Sequence, residues 1–141
     1  MSGDFIDSNV FIYLFDETDG RKRDIADKIV ESALQAHNAS ISFQVVQEIL
    51  NVVTRKLPTT MTAEDTGRFL ERVLGPLWNA SPSLALYRRA LGVQASYRYS
   101  FYDSLIIASA FDAGCTRRES FDRLPVLQVL TVEIENPFNE L

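Results

Sequence analysis

Residues 5–16 read Phe-Ile-Asp-Ser-Asn-Val-Phe-Ile-Tyr-Leu-Phe-Asp, FIDSNVFIYLFD, and the order of residue types in them decides the fold class. Phe5 and Ile6 are a short apolar burst, as a buried strand requires. Asp7-Ser8-Asn9 interrupts it with three residues that favour caps and turns, and Val10 to Phe15 is apolar again. The stretch predicts a buried strand that turns directly into a helix.

The same alternation continues outward. Ile25, Ala26, Ile29, Val30, Ala33 and Leu34 recur at helical spacing, which predicts an amphipathic helix over 22–36 that stops at Ala36-His37-Asn38. Ala39 to Phe43 is a brief strand. Val45, Val46, Ile49, Leu50, Val52 and Val53 form the stripe of a second helix, capped by Ser42 and ending near Leu57-Pro58. That stripe is wider than one small sheet face covers. A third helix opens on Thr62-Ala63-Glu64-Asp65, with acids where the helix dipole favours them, and runs to Gly75-Pro76. Leu77 to Ala80 reads as a short strand, and Ser81-Pro82 restarts a helix through Leu91. Ser100 caps a helix from Phe101 to Ala113 that is apolar almost all round, the mark of a buried helix. Val126 to Ile134 alternates as a last strand. With no repeat and no Ser/Gly linker, residues 1–141 read as one domain of α/β class. Its expected form is a parallel sheet of four or five short strands with helices on both faces, and ligands sit beyond the carboxyl ends of such strands.

Composition removes several chemistries. One cysteine, Cys115, and one histidine, His37, exclude an intrachain disulfide framework and a Cys/His zinc site, and make a His-based triad a poor reading. The formal net charge of -5 argues against broad electrostatic adhesion to nucleic acid. The basic groups Arg21-Lys22-Arg23, Arg55-Lys56, Arg88-Arg89 and Arg117-Arg118 read first as solvated faces. No run is long and apolar enough for a membrane span, and acids stand where a secretory leader is basic, so a soluble cytoplasmic protein is expected.

The informative residues are carboxylates. Asp7 follows the first strand and projects at its carboxyl end, although Asp-Ser-Asn also serves as a helix N-cap. Glu48 lies at the edge of the second helix's stripe, where an acid is ordinarily solvated. Asp103 shares a helical face with Ile106, Ile107 and Ala110. An unpaired ionised carboxylate buried there would cost several kcal/mol, although Ser100 and Asp103 also have capping-box spacing. Asp122, two residues after Ser120, reads by itself as an exposed loop acid. Three or four carboxylates meeting at a sheet edge repel one another unless a divalent cation bridges them, and all-oxygen ligation suits Mg2+ or Mn2+ and disfavours zinc. Such a cation lowers the pKa of its water and stabilises a leaving oxygen, which permits phosphodiester hydrolysis without a histidine.

With these residues assembled, the sequence resembles the PIN-domain ribonucleases, and among them the VapC-like toxins of bacterial toxin-antitoxin modules. The resemblance rests on FIDSNVFIYLFD at 5–16, ISFQVVQEILNV at 41–52, YSFYDSLIIASAFDAGCT at 99–116 and ENPF at 135–138. It implies a PIN-like sheet and a catalytic, metal-holding set of Asp7, Glu48 and Asp103. Asp122 is the expected fourth acid, seven residues after Cys115 and with Ser120 also in place. There the pattern departs from the family: Phe121 replaces a usual Glu, and Arg117-Arg118-Glu119 and Arg123-Leu124-Pro125 are unlike its residues. Glu119 is the alternative acid, but residues 120 and 122 of a strand share a face that 119 does not. Ser8 and Asn9 look like residues that support the acids, with helix capping as their other reading. The resemblance further implies metal-dependent endoribonuclease activity on RNA, a cognate antitoxin protein and homodimerisation. Together with the wide stripe of Val45 to Val53, it leads us to expect an apolar groove for a protein partner beside the helices at 22–36 and 43–57. A housekeeping RNA-processing PIN nuclease is the nearer alternative. A doubly wound signalling or phosphatase-like module is the farther one, but it would want a lysine at a strand end or Asp-x-Asp, and Lys22, Lys28, Lys56 and Asp7-Ser8-Asn9 offer neither.

Overall fold

The computed structural model describes residues 4–114 and 129–130. Among these, strands β1 (Asp4–Ile6), β2 (Ala39–Ser42), β3 (Trp78–Ala80) and β4 (Val129–Leu130) form one sheet in the order β3-β2-β1-β4. All pairings are parallel. Asp4 and Phe5 of β1 lie opposite Ala39 and Ser40 of β2. On its other side β1 places Phe5 and Ile6 opposite Val129 and Leu130. Phe5, Ile6 and Ile41 are fully buried, as strands covered on both faces must be.

The helices are α1 (Ser8–Tyr13), α2 (Gly20–Ala36), α3 (Phe43–Asn51), α4 (Ala63–Phe69), α5 (Gly75–Leu77), α6 (Leu84–Tyr97) and α7 (Phe101–Asp112). The strand order carries the chain outward from β1 through β2 to β3 and then back to the other side of β1 at β4. The α/β expectation therefore holds, with four strands among the described residues. No helix among them is long and apolar enough to cross a membrane. Several helix starts are where local chemistry demands them: Ser42 Oγ accepts from Val45 N at 3.4 Å, Thr62 Oγ1 from Asp65 N at 3.1 Å, and Ser100 Oγ from Asp103 N at 3.1 Å.

Four expectations need correction. The third helix does not stop at Gly75-Pro76. A π turn at Leu70–Leu74 widens it, the Gly75 N–H donates to the Leu70 carbonyl five residues back, and helix α5 continues to Leu77. Pro76 is tolerated because it falls in the first turn of that new segment, where its missing N–H is not needed. Helix α6 starts later than expected, on the Ser83 cap, and runs to Tyr97. The stripe of α3 and its continuing π turn is not left open, because Val45, Val46, Ile49 and Val53 are buried in the chain's own core. Asp103, expected on the buried face of α7, is exposed, because the apolar cover begins one residue later at Ser104.

The glycines differ in what a side chain would meet. A Cβ on Gly75 would lie 3.1 Å from the Leu70 carbonyl oxygen, whereas Gly67, inside α4, has nothing within 4 Å. Gly67→Ala should therefore raise stability by about 0.5–1 kcal/mol in urea denaturation, the usual helix-interior gain. Gly75→Ala should gain less than that or lose, and the reverse ranking would contradict the π-turn geometry.

Candidate metal centre

The strand order reverses at β1, whose neighbours β2 and β4 come from opposite directions of winding. A crevice opens at the carboxyl edge of such a switch point. Asp7 stands there because β1 ends at Ile6 and α1 begins at Ser8. Helix α3 leaves the carboxyl end of β2, and α7 leads back toward β4, so its N-terminus lies at the same edge. These three connections carry Asp7, Glu48 and Asp103.

Asp7 serves as a helix cap and also stands beside the second acid. Its Oδ1 accepts from the Ser8 backbone N–H at 2.7 Å, at the N-cap of α1. The buried Ser8 hydroxyl donates to Glu48 Oε2 at 2.7 Å and lies 3.4 Å from Asp7 Oδ1, so one hydroxyl links two acids 41 residues apart in the chain. Burial pushes the Asp7 carboxyl up to about 6, the charges of Glu48 and then Asp103 push the same way, and the hydrogen bonds from Ser8 oppose them. The electrostatics thus connects all three acids, although Glu48 and Asp103 are themselves exposed. Among the described residues no Lys, Arg or His forms an ion pair with any of them.

This donor set fits a hard divalent cation. All the donors are oxygens, the half-buried carboxylate is disfavoured as an anion, and among the described residues no ion pair relieves it. Among the described residues no three His, Cys, Asp or Glu side chains stand close enough to form a metal cage. Mg2+ is commonly held by only one or two carboxylates while it keeps several waters, so Asp7 and Glu48 across Ser8 meet its ordinary demand. Zn2+ prefers nitrogen and sulfur, and among the described residues no His or Cys joins these acids.

Of the other expected residues, Asn9 is half-buried and makes no side-chain hydrogen bond among the described residues. Its neighbour Ser8 does the work that the sequence reading shared between them. No local signal could have found this role, because the acid that Ser8 bonds, Glu48, lies far along the chain. Asp122, Ser120 and the alternative Glu119 lie outside the described residues. The PIN domain family matches residues 5–125 of the chain. Among curated proteins none matches it.

Proposed function

The chain belongs to the PIN-domain family, whose members are generally nucleases that use divalent metals, and from that premise we propose that it is a metal-dependent endoribonuclease, the toxin of a toxin-antitoxin module acting in the cytoplasm. The observation that carries the reading is the Ser8 hydroxyl that ties Glu48 to a half-buried Asp7, with no ion pair to either acid among the described residues. In this reading Asp7, Glu48 and Asp103, joined by Asp122, hold Mg2+ or Mn2+. The ion, when bound, supplies charge stabilisation to a phosphodiester and a readily ionised water. The protein's part is positional. Ser8 fixes the Glu48 carboxylate toward Asp7, and the Ser100 cap fixes the first turn of α7 and with it the backbone of Asp103. Burial raises the Asp7 carboxyl to about 6, so below that pH a proton competes with the cation for it.

The test is cleavage of a fluorescent single-stranded RNA with Mg2+ or Mn2+ and with EDTA. Cleavage that needs the metal supports the reading; cleavage undiminished in EDTA, or none with either metal, sinks it. Expression in bacteria that is harmless without any second protein would count against the toxin role.

Two surfaces support the partner assignments. A groove of about 450 Å3 beside the end of α1 is lined by Tyr13, Leu14, Phe15, Leu57 and Met61, with Asp16, Glu17 and Arg23 also in its lining, which suits an antitoxin segment that is mainly apolar. Leu84, Tyr87 and Leu91 form an exposed stripe on α6 at helical spacing, which suits a second copy of the chain. Leu91→Asp should leave the fold intact and convert a dimer to a monomer in light scattering at micromolar concentration; a wild-type protein that is monomeric there would remove the homodimer.

A further inference from the structure

The turn between α6 and α7 reads Tyr97-Arg98-Tyr99-Ser100-Phe101-Tyr102-Asp103 and holds three of the chain's five tyrosines. Tyr97 and Tyr99 are stacked, with ring centroids 6.2 Å apart and planes inclined at 24°. Phe101 and Tyr102 meet edge to face at 5.5 Å. Phe101 anchors this turn by packing on the α6–α7 cluster of Leu86, Ala90 and Leu105. The outer rings are left in solvent: Tyr102 is 68% exposed and Tyr99 36%. Between the stacked pair, Arg98 is exposed and takes a left-handed conformation, φ 60°, at the end of α6, where glycine is the cheaper residue. The residue after Tyr102 is Asp103, whose charge reaches Asp7.

The geometry points to Tyr99 and Tyr102 as a stacking platform for unpaired bases of a single-stranded RNA beside the acidic centre, with Arg98 on the adjoining phosphate. This rests on the nuclease reading and adds to it the element that holds the substrate. A chain of net charge -5 cannot gather RNA by broad electrostatic attraction, and the carboxylates at its centre repel phosphates. Stacking escapes that problem, because every base has a π face and the attraction does not depend on charge. A duplex offers no such faces along its length, so the platform selects unpaired segments. Recognition by ring faces also predicts tolerance of base identity, because hydrogen-bond readout of base edges is not involved.

The experiment is fluorescence anisotropy of a labelled single-stranded RNA titrated with full-length protein in EDTA at low salt. Tyr102→Ala and Tyr99→Ala should each weaken binding at least about fivefold, the lower end of what one base on one ring contributes, while Tyr102→Phe keeps wild-type affinity. Removing the bases from the RNA should weaken wild-type binding and abolish the difference between wild type and Tyr102→Ala. The salt dependence should be shallow, near the slope of about -0.7 that a single phosphate contact gives on a single strand. Unchanged affinity in both alanine variants, equal loss in Tyr102→Phe, or no binding by the wild type overturns the platform. So does Tyr102→Ala altering the oligomeric state while RNA binding stays the same, which would mark a protein contact. The nuclease reading is read out separately, by cleavage in Mn2+: tyrosine-dependent binding without cleavage overturns that reading alone, and cleavage with tyrosine-independent binding overturns the platform alone.

Discussion

Asp7→Asn should abolish RNA cleavage and at the same time stabilise the metal-free protein. The loss should be at least about a hundredfold, because residues that only support a metal ligand already cost roughly 10–100-fold when removed. The gain in stability follows from the raised pKa. A carboxyl that moves from 3.8 to about 6 on folding favours the folded state least when ionised. Stability is fully present below pH 3.8 and is lost as pH rises through about 6, by roughly 3 kcal/mol at pH 8. Asparagine cannot ionise, and its side-chain oxygen still accepts from the Ser8 N–H. Urea denaturation in EDTA should therefore show the variant more stable than wild type at pH 8 and nearly equal to it at pH 4. A purely structural cap predicts the opposite, a loss of about 0.5–2 kcal/mol where the cap is weakened. Proton and cation compete for the same carboxylate, so Mn2+ affinity measured by calorimetry should fall as pH drops through 6, by up to about tenfold per pH unit. An active variant, or one less stable at pH 8, would falsify the role given to Asp7.

Ser8→Ala should give the second largest loss, about 10–100-fold in cleavage and Mn2+ affinity, with stability changed by no more than about 1 kcal/mol. The hydroxyl is buried, but the acid it bonds is exposed and can turn to water when freed. Activity and stability therefore part company, which separates a positioning hydroxyl from a packing one. Glu48→Gln should reproduce the loss of Mn2+ affinity, and Ser8→Ala should add little once Glu48 is neutral, because the two act through one hydrogen bond. Independent, additive losses would show that Ser8 does not work through Glu48.

The parts of this structure that were legible from the sequence are those decided locally. The junction of β1 and α1 is written in Phe5 to Ser8, and the caps Ser42, Thr62 and Ser100 follow from single hydroxyls one residue before a helical run. What periodicity could not show is where a face stops being covered. Asp103 falls on the apolar side of a helical wheel, yet it sits in the first turn of α7, beyond the reach of the elements packed on Ser104 to Ala110. The same limit explains the stripes: that of α3 is buried, while the weaker one on α6 is the one left open. The hydroxyl bridge of Ser8 joins residues far apart in the chain, so no local pattern announces it. Gly75-Pro76 reads as a stop because the π turn that admits it lies upstream.

The sheet order has a temporal consequence. Strand β1 emerges first during synthesis, but one of its two edges is closed only by β4, almost the whole chain later. At about 5–20 residues per second, the interval between completing β2 and completing β4 lasts several seconds, and contacts of such long sequence separation also form slowly after release. Through that interval Phe5 and Ile6 have an open backbone edge that invites mispairing. Asp7, Glu48 and Asp103 are all made before β4, so the β4 side of the crevice is the last part of it to close. The first vulnerability of a nascent copy is therefore aggregation through the unpaired side of β1.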